Sequence, residues 1–259
     1  MDRLKDRVCI VTGAGSPGDD VGNGRAAAIQ FAREGAHVVV NDLDEGAALR
    51  TLEWIEAEGG SGSICVGDLS RADEAERLVD HAVSTWGRLD VVHNNIGISG
   101  RGTVVDASEE LWDRVMTVNV KTIMLMGKFA VPALARTGGG SIVNVSSLAA
   151  IRPSGRSPYS ASKGAVIALS QSMAFDHAAQ GIRVNCIAPG PIFTPHAGAI
   201  GMSEDVREKR RLASPLGIEG TAWDVANAAV FLASAEARFI TGVVLLVDGG
   251  VALTSAARH

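Results

Sequence analysis

Tyr159 is the single tyrosine in the chain, and Lys163 follows four residues later in a stretch of helical pattern. That spacing sets the two side chains on one helix face, about one turn apart. A free phenol, with a pKa of about 10, is a poor base at neutrality, but a neighbouring ammonium favours the phenolate. Lowering the pKa by two to three units requires roughly 3 to 4 kcal/mol of differential stabilisation. One close, partly desolvated ammonium and a second positive charge on a bound redox group can supply that much. Such a base could take the hydroxyl proton of a secondary alcohol as hydride leaves its carbon. Taken alone, the pair is an ordinary set of helix neighbours, so the reading depends on a site for a hydride carrier elsewhere in the chain.

A candidate for that site is Thr12-Gly13-Ala14-Gly15-Ser16-Pro17-Gly18-Asp19-Asp20-Val21-Gly22-Asn23-Gly24, between a strand-like run and an Ala-rich helical one. Glycines in this place let the backbone approach a pyrophosphate, which the helix N-terminus stabilises through free N–H groups and its dipole. The next strand-like run ends at Asn41-Asp42, where a carboxylate can accept both ribose hydroxyls of an adenosine. The same charge repels a 2′-phosphate, and Leu43 follows it rather than an arginine, so NAD is expected over NADP. Asp42 has a second reading, as a cap for the helix whose start Asp44 and Glu45 crowd.

The elements that must position these residues follow from periodicity. Short β-branched runs at residues 8–12, 36–41, 63–66, 89–93, 141–145, 183–187 and 243–247 alternate with helical patterns at 24–34, 45–58, 72–86, 109–134, 159–179 and 222–233. This alternation predicts an α/β fold, a doubly wound parallel sheet of about seven strands with helices on both faces. No linker, repeat or low-complexity tract divides residues 1–259, so one domain is expected. Residues 194–219 break the rhythm with Pro195, Gly198, Gly201, a charged stretch, Pro215 and Gly217. They read either as a substrate loop or lid, following a strand's carboxyl end where ligands bind in open sheets, or as a plain surface excursion.

With 24 Lys+Arg against 29 Asp+Glu the net charge is −5, without a basic run, which argues against a nucleic-acid partner. The charged N-terminal residues and the lack of a spanning apolar segment predict a cytoplasmic protein with no membrane association. Cys9, Cys65 and Cys186 are far apart in apolar runs and read as small core residues, and the six histidines show no metal-ligand spacing. His93 reads as a satisfied structural residue, and His196 as either a substrate contact or a solvent-exposed loop residue. Trp54, Trp86, Trp112 and Trp223 fall in helical patterns as packing anchors.

Several short motifs recur here in a familiar order: Thr12-Gly13 with Gly22 and Gly24, Asp68-Leu69, Asn94-Asn95-Ile96-Gly97, Asn119, Ser146-Ser147, and Tyr159-Ser160-Ala161-Ser162-Lys163. Asn185 with Pro189-Gly190, and Ile240-Thr241-Gly242 with Asp248-Gly249-Gly250, complete the set. In order and spacing the chain resembles the short-chain dehydrogenase/reductase family along essentially its whole length. The resemblance implies a seven-stranded Rossmann-like sheet, a nicotinamide cofactor and a homotetramer, or else a homodimer. It assigns cofactor contacts to Gly13, Gly22, Gly24, Asp42, Asp68, Leu69, Asn94, Gly97, Tyr159, Lys163, Pro189, Gly190, Ile192 and Thr194. Within that set Asp68 would bond the adenine, Asn94 would line the adenosine side, and Ile192 and Thr194 would hold the carboxamide. The catalytic set becomes Asn119, anchoring a water relay, with Ser147, Tyr159 and Lys163. Ser147 holds the family's second serine position, although it is twelve residues before Tyr159 where thirteen is common and would select Ser146.

Two departures stand out. Eight residues separate Gly13 from Gly22 where the family usually has three, so residues 17–21 look inserted. Asp19 and Asp20 lie in that insert, and a bulge toward solvent is expected because negative charge beside pyrophosphate is unfavourable. Which of Gly15, Gly18 and Gly22 touches phosphate stays open. The second departure is Ile96, which replaces a usual alanine near the cofactor. The resulting expectation is an NAD-linked oxidoreductase of a small, apolar or cyclic secondary alcohol or ketone. A 3-oxoacyl thioester reductase, which Arg152 and Arg156 would suit, and a non-catalytic nucleotide-binding regulator are the alternatives. Residues 239–253 are apolar enough to cover either a subunit contact or a central strand.

Overall fold

The computed structural model describes residues 2–153, 155–195 and 202–254. Seven strands form one parallel sheet: β1 (Val8–Thr12), β2 (His37–Asn41), β3 (Ser61–Ile64), β4 (Val91–Asn94), β5 (Gly140–Val145), β6 (Ile182–Pro189) and β9 (Val244–Val247). Their spatial order is β3-β2-β1-β4-β5-β6-β9. The chain winds outward from β1 in one direction and then from β4 in the other. The gap between their carboxyl ends is therefore the switch point at which open α/β sheets bind ligands. Helices α1 (Asn23–Arg33), α2 (Glu45–Ala57) and α8 (Ala222–Ala233) cover one face and share a core with β1 and β2 through Phe31, Ile55, Val38 and Val230. Helices α3 (Ala72–Trp86), α5 (Thr122–Arg136) and α6 (Ser157–Asp176) cover the other, packing through Leu78, Met126, Met173 and Ile142. Strands buried on both faces explain the unbroken apolar runs in the sequence.

The middle strands also carry a buried polar row. Thr12, Asn94, Asn144 and Cys186 are in register across β1, β4, β5 and β6. The Asn94 amide donates to Asn144 Oδ1 at 2.8 Å, and the Asn144 amide donates to Ser170 Oγ on α6 at 2.8 Å. This row ties the ends of the central strands to the helix that carries Tyr159.

The structure departs from the sequence expectations in several places. Strand β3 begins two residues earlier than its β-branched pattern suggests, at Ser61. The single helix expected over 109–134 is α4 (Glu109–Met116), one π-helical turn (Thr117–Lys121) and α5. Together they form a 28-residue run that is long and apolar enough to cross a membrane, contrary to the expectation that no segment is. More than half of that apolar window is buried inside the fold, where Leu125, Met126, Ala130 and Leu134 meet the sheet. Within the irregular 194–219 segment the described part forms a helix, α7 (Glu204–Ala213), and its flanks pair as short strands β7 (Ile192–Phe193) and β8 (Gly220–Thr221). Strand β9 is an edge strand, not a central one, and Phe239 just before it is 95% exposed. Trp54 packs edge-on against Trp223 and Trp86 stacks on His37, but Trp112 is exposed and anchors no core. His93 is buried against Phe31 and beside the Val143 backbone, as a structural residue.

Candidate active site

A cleft of about 1200 Å³ opens at the switch point, lined by the β1–α1 loop, the ends of β2 and β4, the β5–α6 connection, the end of β6 and helix α7. Ligand sites in α/β folds concentrate at this point, and the size exceeds that of a typical small-molecule pocket.

At one end the backbone makes the wall. Gly13 has φ of 59°, a conformation open to glycine, and this bends the chain away from β1. A side chain on Gly24 would put its Cβ 1.9 Å from the Gly13 carbonyl oxygen, so only glycine lets α1 start directly beneath the turn. Gly22 precedes α1 without a side-chain cap, which leaves first-turn N–H groups for a ligand. The inserted residues 17–20 are exposed, Asp19 and Asp20 among them. Their backbone is held from beneath by Arg25, a buried arginine that the sequence reading missed. Its guanidinium donates to the carbonyls of Ser16 (2.8 Å), Gly18 (2.8 Å) and Asp20 (2.6 Å), and to Thr51 Oγ1 (3.0 Å). The signal was present: an arginine interrupting an Ala-rich, fully buried helix face has to find acceptors.

Asp42 lines this end. Its carboxylate accepts from the Gly15 N–H (2.8 Å) and the Asp44 N–H (3.1 Å). The capping role belongs to Asp44, whose side chain accepts from the Ala47 N–H. Asn95, also overlooked, donates to the Gly13 carbonyl and fixes the turn from the β4 side.

At the other end side chains make the wall. Ser157, Pro158 and Tyr159 open α6, with proline in the first turn where its missing N–H costs nothing. Lys163 is buried one turn on, 5.8 Å from the Tyr159 ring centroid, and its Nζ donates to the Val145 carbonyl at 2.9 Å. Burial pulls the Lys163 pKa down to about 8, with the nearby Cys186 opposing the shift. Gly97 gives the ammonium room, since a Cβ there would sit 3.0 Å from Nζ.

The two serines separate. Ser146 is buried and its hydroxyl donates to the Lys163 carbonyl at 2.7 Å. Ser147 is half-buried on the cleft wall and accepts from the Ala149 N–H at 3.2 Å, which leaves its own O–H to donate.

Of the sequence-derived residues, Gly13, Gly22, Gly24, Asp42, Gly97, Ser147, Tyr159, Lys163, Pro189, Gly190, Ile192 and Thr194 all reach the cleft. Four do not. Asp68 is exposed in a turn and accepts from the Ser70 N–H. Leu69 is a core residue against α3. Asn94 is committed to Asn144 inside the sheet, so its neighbour Asn95 takes the wall position. Asn119 lies just behind the wall in the π-helical turn. Its amide accepts from the Ile98 N–H (2.7 Å) and donates to the Ile98 carbonyl (3.0 Å) and Ser162 Oγ (2.9 Å). His196 lies outside the described residues.

A family model described as enoyl-(acyl carrier protein) reductase matches residues 19–252. The chain is 38% identical over 250 residues to the 2,5-dichloro-2,5-cyclohexadiene-1,4-diol dehydrogenase of Sphingobium indicum, covering 96% of this chain and 97% of the relative. It is 37% identical over 258 residues to the 3-oxoacyl-[acyl-carrier-protein] reductase of Thermotoga maritima, covering 97% of this chain and all of the relative. Among solved structures, a 7α-hydroxysteroid dehydrogenase complexed with NADH and 7-oxo glycochenodeoxycholic acid superposes with a TM-score of 0.89 at 34% identity, covering 96% of this chain and 95% of that one. The chain therefore belongs to the short-chain dehydrogenase/reductase family of NAD(P)-dependent oxidoreductases.

Proposed function

We propose that the protein is an NAD-dependent dehydrogenase/reductase that moves hydride between nicotinamide and a secondary alcohol or ketone with a small, apolar or cyclic skeleton. The observation that carries this reading is one cleft with Asp42 at one end and Ser147, Tyr159 and the buried Lys163 at the other.

The residues present fit a dinucleotide. The Gly13–Gly24 approach and the uncapped start of α1 suit a diphosphate, and Asp42 is held where it can accept ribose hydroxyls. The carboxylate favours NAD, because a 2′-phosphate would meet a fixed negative charge. Ile192 and Thr194, which line the cleft, would hold the carboxamide, and Lys163 would bond the ribose beside it. A nicotinamide held by these residues would supply or accept the hydride. Ser147 donates to the substrate oxygen. Tyr159 takes the alcohol proton at its Oη in oxidation and returns it in reduction. Lys163, largely protonated below its pKa of about 8, sets a positive charge one helix turn from the Tyr159 ring. Asn119 acts as a positioning residue that locks the Ile98 backbone to Ser162 of α6.

A cyclic skeleton fits the two relatives whose names specify a cyclohexadienediol and a steroid. A 3-oxoacyl thioester reductase is the second reading, favoured by the Thermotoga maritima relative and by Arg152 and Arg156 on the cleft wall. The three unpaired cysteines suit a reducing cytoplasm. The exposed Phe239 beside edge strand β9 suits burial against a second copy in a homodimer or homotetramer.

The test is a cofactor titration followed by turnover on a panel of cyclic alcohols and ketones. NADH should bind more tightly than NADPH, and equal binding removes the NAD assignment. Tyr159→Phe should lower kcat about a hundred- to ten-thousandfold while NADH binding persists. Undiminished turnover removes Tyr159 from its role.

A further inference from the structure

Besides Lys163, the described residues of the cleft wall include five cationic side chains, Arg101, Arg152, Arg156, Lys209 and Arg210, against a single carboxylate, Asp42. Asp42 lies at the adenosine end, so the imbalance belongs to the substrate end. It reverses the balance of the whole chain, in which 29 acidic residues outnumber 24 basic ones.

Three separate segments converge to make it. Arg101 comes from the loop after β4, Arg152 and Arg156 from the β5–α6 connection, and Lys209 and Arg210 from α7. The first two segments are stitched together by a bridge between Gly102 and Arg156 and by the Ser157 N–H donating to the Gly102 carbonyl at 2.9 Å. The Arg156 guanidinium lies 5.2 Å from the Tyr159 ring centroid, beside the reacting atoms. Arg152 donates to the Val251 carbonyl and to Thr254 Oγ1 (2.6 Å), neutral acceptors that hold it in place and leave its charge uncancelled. Among the described residues, neither Arg101 nor Lys209 pairs with a carboxylate. Arg210 is the partial exception, 4.0 Å from Glu219 and donating to the Ile192 carbonyl.

Gathering like charges in a cleft with low-dielectric walls is unfavourable unless an opposite charge arrives, and it concentrates anions from solution. Ile96, Ile98, Leu148 and Val206 add an apolar stretch to the same cleft. We propose that the substrate is an anionic secondary alcohol or ketone, an apolar skeleton presented to Tyr159 with an attached oxyanion held by Arg101, Arg152, Arg156 and Lys209. The proposal rests on the hydride-transfer reading above. The oxyanion is a carboxylate or a phosphate, the latter as on a phosphopantetheine thioester, and matched pairs distinguish them.

The experiment measures binding to the protein saturated with NAD, with which a ketone forms an unreactive complex, by calorimetry, for two pairs. One is 3-oxocyclohexanecarboxylate against its methyl ester; the other is the acetoacetyl thioester of phosphopantetheine against that of pantetheine. In at least one pair the anion should bind about ten- to a hundredfold more tightly than its neutral partner. The preference should shrink as salt rises from about 20 mM to about 500 mM. It should also fall about tenfold in the double variant Arg101→Gln, Lys209→Gln, whose exposed positions make misfolding a minor concern. The pair that shows the preference identifies carboxylate or phosphate. Equal or tighter binding of the neutral member in both pairs overturns the proposal, as does a preference that survives the double variant unchanged. NADH consumption followed in parallel separates the two readings. Selective anion binding without NADH oxidation leaves the anion site standing and removes the hydride transfer, whereas turnover with no charge preference does the reverse.

Discussion

The two ends of the cleft are built differently. The cofactor end is mostly backbone: glycine turns, a helix start and strand ends, with Asp42 as the principal charged side chain at its wall. The substrate end is mostly side chains, carried on the β5–α6 connection, the loop after β4 and helix α7. Backbone geometry tolerates little variation, because a Cβ at Gly24 collides with the Gly13 carbonyl whatever follows it. Side chains projecting from loops can be exchanged without disturbing the sheet. The first arrangement suits a ligand that stays the same across a family, and the second suits one that differs between members.

The sharpest way to break this division is at Lys163, which belongs to both ends. Lys163→Met should cut turnover about a thousandfold and weaken NADH binding as well, measured by steady-state kinetics and fluorescence. The same change should raise stability in denaturant melts. The folded-state pKa of about 8 lies below the ordinary 10.5, so the buried charge costs on the order of 3 kcal/mol at neutral pH. That cost is fully present below pH 8 and fades as pH rises toward 10.5, where the native state sheds its proton before the unfolded chain does. Wild-type stability should therefore climb through that window while the Lys163→Met protein shows no such climb.

A smaller effect is expected at Arg25, which touches only the cofactor end. Arg25→Ala should raise the KM for the dinucleotide about tenfold with little change in kcat, since the inserted loop loses the donor that organises its carbonyls. Several buried acceptors lose their donor, so a loss of about 2 to 4 kcal/mol in stability should accompany it. If kcat falls as much as KM rises, the two ends are not separable.

The smallest effect on binding and turnover is expected at His93 on β4, where the readout is stability alone. Burial holds its pKa down to about 4 against the ordinary 6.5. Between those values the unfolded chain takes up the proton and the native state does not, so stability should decline as pH falls from about 6.5 toward 4. His93→Leu should flatten that limb in a pH series of thermal melts without altering the charge preference at either end.

The asymmetry between the ends also governs what could be read in advance. Helices α3 and α8 begin and end where the 3.6-residue pattern places them, and β1 coincides with its apolar run. Strand β3, with only four residues of mixed polarity, was displaced because its pairing with β2 and not its own pattern sets its limits. At the site, the glycines, Asp42, Tyr159 and Lys163 stand out because each is a local signal in type and spacing. Asn94 and Asn95 could not be told apart, because strand alternation fixes that neighbours face opposite ways but not which one faces the sheet interior. Arg25 escaped notice because its acceptors are carbonyls, which every sequence possesses and none advertises.

By itself, then, the sequence determined the alternating strands and helices, the glycine turn after β1, the carboxylate after β2 and the phenol–ammonium pair on one helix face. All of these are set by contacts within a few residues, where periodicity and residue type suffice. Only the tertiary structure decided that Lys163 is buried against the Val145 carbonyl, that the Ser146 hydroxyl turns to the Lys163 carbonyl while Ser147 faces the cleft, and that Arg101, Arg156 and Lys209 line the same cleft. Those outcomes depend on desolvation and on the meeting of segments far apart in the chain, and neither is a property of any local stretch.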